Sequence, residues 1–326
     1  MKICIYGAGA IGGYVGAMLS RAGADVSLIA RGPHLAAIRK DGLRLISAEE
    51  EFTVHPRATD DPAELGPQDY VLLTLKAHGV RAVADAMQPL LGPDTAVVTA
   101  QNGLPWWYFY GLEGAYEGQR LESTDPGNVL WDRIGPQRVI GSVVWQAADI
   151  PEPGVVQLGY GERLSLGEPD GSKSERVQAL SSALINAGIK APIRPNIRNE
   201  IWVKLWGNLS FNPVSALTGA TLAGMAQDPG VSSVIHAMMN EAKQVGEVLK
   251  VRFPMTVEKR IEAAEKVGAH KTSMLQDLEG GRSMEIEPLI GSVSELGRIV
   301  GIPTPTIDTV YHLTVMRAKQ SGCYAG

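Results

Sequence analysis

Four residues in the stretch 200–213, EIWVKLWGNLSFNP, could do chemistry at a regular spacing: Glu200, Lys204, Asn208 and Asn212. Their neighbours Ile201, Trp202, Val203, Leu205, Trp206, Leu209 and Phe211 are apolar. On a helix of 3.6 residues per turn, residues four apart share a face and drift by about 40° per step. An ammonium and two amides therefore form one stripe among indoles and leucines. Loss of water disfavours the charged lysine and lowers its pKa. A lysine tuned in this way can hand a proton to an alkoxide near neutral pH. The plainer alternative is a solvated Glu200–Lys204 ion pair, worth about 0.3–0.5 kcal/mol. Spacing alone leaves both open. Pro213 removes a backbone donor and biases Asn212 away from helical geometry, so a kink or local break is expected there.

A second constellation is made of glycine. ICIYGAGAIGG places Gly7, Gly9 and Gly12 in G-x-G-x-x-G spacing, after a β-type run and at the start of a helical pattern. Gly7 allows the tight turn, Gly9 lets a pyrophosphate approach the backbone, and Gly12 lets helix and strand pack closely. With Ala8, Ala10 and Ile11 they form a dinucleotide-binding turn, its phosphates facing the positive end of the helix. The next strand, ADVSLIAR, ends in Ala30 and Arg31 rather than a carboxylate. Arg31 suits a 2′-phosphate, which favours NADPH over NADH. A solvated surface arginine is the competing reading, and His34, just beyond, reads as a bystander. Lys76 in LLTLKAHG and Asn102 in VVTAQNG stand at the ends of later strands, where ligands bind in such sheets.

These residues need elements to hold them. Lys2–Tyr6, Val26–Ala30, Tyr70–Thr74, Ala96–Ala100 and Val139–Val144 read as strands. Tyr14–Ala22 and Val80–Leu91 read as helices between them, which implies a parallel sheet covered on both faces. GVVQLGYGERLSLGE reads as an antiparallel hairpin at the sheet edge, and Ser174–Ala187 as a helix. Beyond Asn196 the pattern is helical: 198–218, 228–250, 255–267, 283–300 and 306–320. The expected class is α/β: an N-terminal Rossmann-type parallel sheet domain, 1–195, and an all-helical C-terminal domain, 196–326. The segment 104–137 carries Trp106, Trp107, Tyr108, Phe109 and Tyr110 and is long for a connection.

The bulk numbers exclude other classes. In 326 residues, 44% are hydrophobic and 20% charged, an ordinary globular balance with room for two domains. A net charge of −5 does not suit nucleic acid or an anionic membrane as main partner. The N-terminal residues lack signal-peptide character, and no run is long and apolar enough to span a bilayer. The two cysteines, Cys4 and Cys323, form no disulfide framework, which fits a reducing cytoplasm. Cys4 reads as a small core residue and Cys323 as part of a loose tail. No His, Cys and Asp spacing suggests a metal site.

NIRNEIWVKLWGNLSFNPVSALTG resembles the lysine helix of ketopantoate reductases (2-dehydropantoate 2-reductases). The likeness extends to YGAGAIG, TLKAH, QNG and TSMLQDLEGGRSMEIEPLIGSV, in order along nearly the whole chain. In that family a Rossmann domain binds NADPH, a helical domain closes over it, and hydride passes to the C2 carbonyl of ketopantoate. The resemblance implies that Lys204 is the general acid and that Asn208 and Asn212 hold substrate. It implies that Glu285 engages a substrate hydroxyl and Ser273 the carboxylate. Arg31 resembles the 2′-phosphate partner, and Lys76 and Asn102 the residues that place cofactor and substrate. Read without the resemblance, Glu285 is a helix-face carboxylate and Ser273 a cap or surface hydroxyl.

The sequence departs from the family after Gly103, where a compact helix is usual and 104–137 stands instead. Its aromatics could pack the insertion, cover an oligomer interface such as a homodimer's, or reshape the pocket. Two alternatives to ketopantoate reduction follow: reduction of another 2-oxo or hydroxy acid, or a non-catalytic NADPH sensor. A sensor needs none of Lys204, Asn208, Asn212 and Glu285.

Overall fold

The computed structural model describes residues 1–325, which divide into two compact units. The first holds Met1–Gln101, Trp107–Arg120 and Gly127–Ile197. The second holds Asn102–Trp106, Leu121–Pro126 and the chain from Arg198 onward.

The first unit contains strands β1 (Lys2–Tyr6), β2 (Asp25–Ile29), β3 (Leu43–Ile46), β4 (Glu51–Val54), β5 (Arg57–Thr59), β6 (Gln68–Leu73), β7 (Leu91–Thr99), β8 (Val139–Val144), β9 (Ala147–Asp149), β10 (Val155–Tyr160) and β11 (Leu164–Gly167). Its helices are α1 (Ala10–Arg21), α2 (Gly32–Asp41), α3 (Ala77–Arg81), α4 (Val129–Arg133) and α5 (Glu175–Asn186). The main sheet has the order β11-β8-β7-β6-β1-β2-β5. Every pair in it is parallel except β11 against β8. Its central strands are apolar runs, as burial on both faces demands: Ile3, Cys4, Ile5, Val71, Leu73, Val97 and Val98 are fully buried. The order reverses beside β1, with β2 on one side and β6 on the other. Such a reversal opens a crevice at the carboxyl ends of the strands.

A second sheet, β4-β3-β10-β9, explains an excess of glycine in α1. A Cβ at Gly16 would lie 2.8 Å from Leu28 Cδ2 of β2, and one at Gly13 would lie 2.6 Å from Val156 Cγ2 of β10. Helix α1 is thus pressed between two sheets and has almost no room for side chains there.

The second unit contains α6 (Ile197–Thr218), α7 (Leu222–Gln227), α8 (Pro229–Val248), α9 (Val257–Val267), α10 (Ser273–Glu279), a π-helical turn (Glu287–Gly291), α11 (Ser292–Val300) and α12 (Pro305–Gln320). Thr221, Asp228, Thr256 and Thr272 cap α7 to α10 by accepting a backbone N–H. Trp202, Trp206 and Leu209 of α6 are buried, and Phe253 packs against both tryptophans.

Several expectations are corrected. Helix α6 runs without interruption through Pro213. An interior proline costs about 3 kcal/mol, and the buried tryptophan face supplies the packing that offsets it. The runs at 155–160 and 164–167 are not a hairpin. β10 pairs with β3 and β9, and β11 pairs with β8 in the other sheet. The helix expected over 80–91 stops at Arg81 and gives way to turns; Pro89 cannot donate within a helix. The helix expected over 283–300 begins only at 286, and its first turn is π-helical, with Pro288 in it. Cys323 is fully buried, and its carbonyl accepts from Met284 N at 2.9 Å, so its segment is packed rather than loose.

Trp106, Trp107, Tyr108 and Phe109 of 104–137 are buried, and Tyr110 is half-buried. Trp107, Tyr108 and Phe109 are fully buried, and Trp107 Nε1 donates to Thr99 Oγ1 at 2.9 Å. Among the described residues, no helix is long and apolar enough to cross a membrane. Among the same residues, no group of three or more His, Cys, Asp or Glu side chains could hold a metal ion.

Candidate active site

The glycine turn follows β1 at the reversal of strand order. Gly7 has φ +103°, a left-handed conformation that a side chain would strain. Gly7 N and Ala8 N both donate to Ile29 O, at 3.2 and 2.9 Å, which ties the turn to the end of β2. Thr74 Oγ1, after β6, donates to Gly7 O at 2.7 Å. A Cβ on Gly12 would overlap both Gly7 O and Thr74 Oγ1. Gly9 is the N-cap of α1 and offers no side chain to its first turn. The N–H groups of Ala10, Ile11 and Gly12 have no acceptor within the helix. A Cβ on Gly9 would have only the Gly7 carbonyl within 4 Å, at 4.0 Å. The turn therefore offers an uncapped helix end and open space beside it, which fits a pyrophosphate.

Arg31, the N-cap of α2, is exposed at the end of β2. Among the described residues its guanidinium has no ion-pair partner. Lys76 is half-buried after β6, at the N-cap of α3. His34 is tied to the fold: its Nδ1 accepts from Gly154 N at 3.0 Å, and burial holds its pKa below the ordinary imidazole value.

The second unit gathers the lysine stripe. Lys204 Nζ donates to Asn102 Oδ1 at 2.7 Å, and Asn102 Nδ2 donates to Glu285 Oε2 at 3.1 Å. Ammonium, amide and carboxylate thus form a chain that fixes the amide orientation. The reverse flip would set like dipoles against both partners. The Lys204 side chain is half-buried. Loss of water around it lowers its pKa to about 8, while the Glu285 charge pulls the other way.

Asn102 is placed by backbone. Gly103 has φ +91°, and a Cβ there would overlap the Pro288 carbonyl oxygen. Leu104 N donates to that same oxygen at 2.8 Å. The π turn holding Pro288 is pinned in its turn. Tyr311 and Tyr324 hydroxyls both donate to Glu287 Oε1, each at 2.9 Å. Burial and the Glu287 charge hold the Tyr311 hydroxyl well above the usual phenol pKa, so it stays protonated and donating.

Farther along the stripe, Asn212 is buried, and its Nδ2 donates to Ser273 Oγ at 3.4 Å, a long bond. Asn208 lies half-buried between the two groups, with no hydrogen-bond partner among the described residues. The structure joins Lys204 to Asn102 and Glu285, and Asn212 to Ser273. Gly7, Ala8, Gly9, Ala10, Ile11, Gly12, Arg31 and Lys76 belong to the other unit. Sequence reasoning missed Thr74, Pro288, Tyr311 and Tyr324. Only Gly103, following Asn102, signalled a close backbone approach.

Comparison with known proteins gives a consistent result. The model "Ketopantoate reductase PanE/ApbA" matches residues 3–171, and "Ketopantoate reductase PanE/ApbA C terminal" matches 196–318. A 2-dehydropantoate 2-reductase from Mesorhizobium japonicum is 56% identical over 326 residues, 100% of each chain. A crystal structure from Ralstonia solanacearum MolK2, ascribed to the ketopantoate reductases, matches with TM-score 0.95 and 42% identity over 99% of each chain. A PanE/ApbA family ketopantoate reductase from Ralstonia eutropha JMP134 matches with TM-score 0.85 and 28% identity, over 99% of this chain and 100% of that one.

Proposed function

The chain belongs to the ketopantoate reductase family, and from that premise we propose that it reduces 2-dehydropantoate to pantoate with NADPH. The product would feed pantothenate and coenzyme A synthesis. The observation that carries this reading is the Lys204–Asn102–Glu285 chain, a low-pKa ammonium held by an amide that a carboxylate fixes in turn. A nicotinamide bound there would supply the hydride to the C2 carbonyl carbon. As charge builds on the carbonyl oxygen, the Lys204 ammonium stabilises it and then delivers its proton, giving the C2 hydroxyl. Asn102 holds the ammonium through its Oδ1, and Glu285 keeps the amide from turning. Glu285 also accepts from a substrate hydroxyl in this reading.

Asn208 and Asn212 offer amide donors and acceptors to the rest of the substrate, and Ser273 supports Asn212. Ala10, Ile11 and Gly12 N–H groups would hold the pyrophosphate. Arg31 would pair with the 2′-phosphate, and Lys76 would help hold the cofactor. The aromatic segment does not argue for a different acid: Trp107, Tyr108 and Phe109 are buried in the first unit, and the Mesorhizobium japonicum alignment covers 104–137 with the rest.

The test is direct. The purified protein should consume NADPH when ketopantoate is added and form pantoate. Tight NADPH binding with no turnover on ketopantoate or a panel of 2-oxo acids would overturn the reading in favour of a sensor.

A further inference from the structure

Helix α9 turns Val257 and Ala264 inward. Arg260 lies between them at the i+3 position, on the same face. That face ordinarily carries apolar residues. Arg260 is half-buried there, and among the described residues it has no ion pair and no side-chain hydrogen bond. Burial alone pushes its pKa down; no carboxylate opposes the shift. An inward guanidinium without a partner is unfavourable unless something supplies one.

Helix α6 carries the complementary oddity. Gly207 lies in its interior, where glycine weakens a helix. A Cβ at Gly207 would overlap Arg260 Nη2 and lie 3.0 Å from its Cζ. The missing side chain is the space that the guanidinium occupies. Gly207 is three residues after Lys204 on α6, so it borders the polar stripe.

We propose that Arg260, seated on Gly207 at the edge of the Lys204 stripe, binds the carboxylate of the substrate. This rests on the 2-oxo acid reductase reading above and assigns to Arg260 a role that the family resemblance implies for Ser273. A guanidinium presents two parallel N–H donors that match a carboxylate. Ser273 is exposed and shares only a 3.4 Å bond with Asn212, which makes it the weaker candidate.

The experiment compares ketopantoate with its lactone, the cyclic ester of the same keto acid, which has no carboxylate. In Arg260→Ala, kcat/KM for ketopantoate should fall about 10- to 100-fold, mostly through KM. The preference for acid over lactone should fall by the same factor. Arg260→Lys should recover part of it, because an ammonium keeps the charge and loses the fork. Pantoate titrated calorimetrically against wild type and Arg260→Ala should show the same loss of affinity. Equal losses for acid and lactone, or no loss for either, would overturn the assignment. If the wild type reduces neither compound, the reductase reading fails by itself. The pantoate titration then decides Arg260: affinity lost with the guanidinium supports it, and unchanged affinity ends it.

Discussion

The glycine turn after β1 and the lysine stripe of α6 solve different problems with different materials. The turn works by absence. Gly7 and Gly12 have no side chains, α1 has no side-chain cap, and the groups offered to a ligand are backbone N–H. The stripe works by presence. Lys204, Asn102 and Glu285 stand at widely separated sequence positions, and a hydrogen-bond chain joins them. A backbone site is encoded within a dozen residues. A side-chain site of this kind needs the whole helical unit. Damage to the first should therefore appear in cofactor affinity, and damage to the second in turnover.

Replacing Lys204 by Ala tests the second half most severely. Loss of the proposed general acid should remove about 10²–10⁴ of rate. kcat should fall in that range while NADPH affinity, read by fluorescence titration, stays put. A parallel loss of NADPH affinity would erase the division. Gly12→Ala makes the opposite cut. Its Cβ would overlap Gly7 O and Thr74 Oγ1, and overpacking of this kind costs about 1–3 kcal/mol. NADPH binding should weaken about 10- to 100-fold, with a lower Tm, whereas the Lys204 pH dependence in the residual activity should be unchanged.

Gly103→Ala sharpens the comparison, because here backbone serves the side-chain site. The substitution forces a Cβ against Pro288 O at φ +91°. Asn102 should shift and kcat drop about 10-fold or more, by misplacement of the acid it holds. NADPH affinity should persist. Arg31→Ala should weaken NADPH about 10-fold and leave NADH nearly unaffected, since only NADPH carries the phosphate a guanidinium can pair with. Equal weakening of both would remove Arg31 from cofactor choice.

The same contrast governs what could be read from sequence. The G-x-G-x-x-G turn, the ends of β1 and β8, and the stripe at 200, 204, 208 and 212 are local patterns and were legible. The second sheet was not: β3 and β10 pair across more than a hundred residues, and nothing in LRLI announces its partner VVQ. GVVQLGYGERLSLGE has every local mark of a hairpin, yet its two runs join different sheets, a tertiary choice that overrides local turn chemistry. Pro213 signals a break that packing of Trp202 and Trp206 overrules. The clamp on Asn102 depends on the Pro288 carbonyl, and carbonyls leave no trace in a sequence. Arg260 reads as an ordinary surface arginine until Gly207 is seen beneath it.

The smallest effect separates the two electrical influences on Lys204. Its pKa of about 8 balances burial, which lowers it, against Glu285, which raises it. The proposed acid must be protonated to donate, so kcat should fall as pH rises through about 8. Glu285→Gln keeps the shape and removes the charge that raises the value. The alkaline limb should therefore move to lower pH. A limb that stays in place would mean that burial alone sets the proton affinity. Stability carries the opposite sign. An unfolded lysine titrates near 10.4. Between about 8 and 10.4 the unfolded chain thus binds more protons at this position than the folded one, and this group's contribution to stability rises with pH. Lys204→Met removes the buried ammonium, so its stability advantage over the wild type should be largest below pH 8 and shrink as pH climbs. Urea unfolding of the two proteins at several pH values measures that gap. A gap that widens with pH would show that the ammonium is favourably solvated in the folded chain, and a low-pKa acid would lose its physical basis.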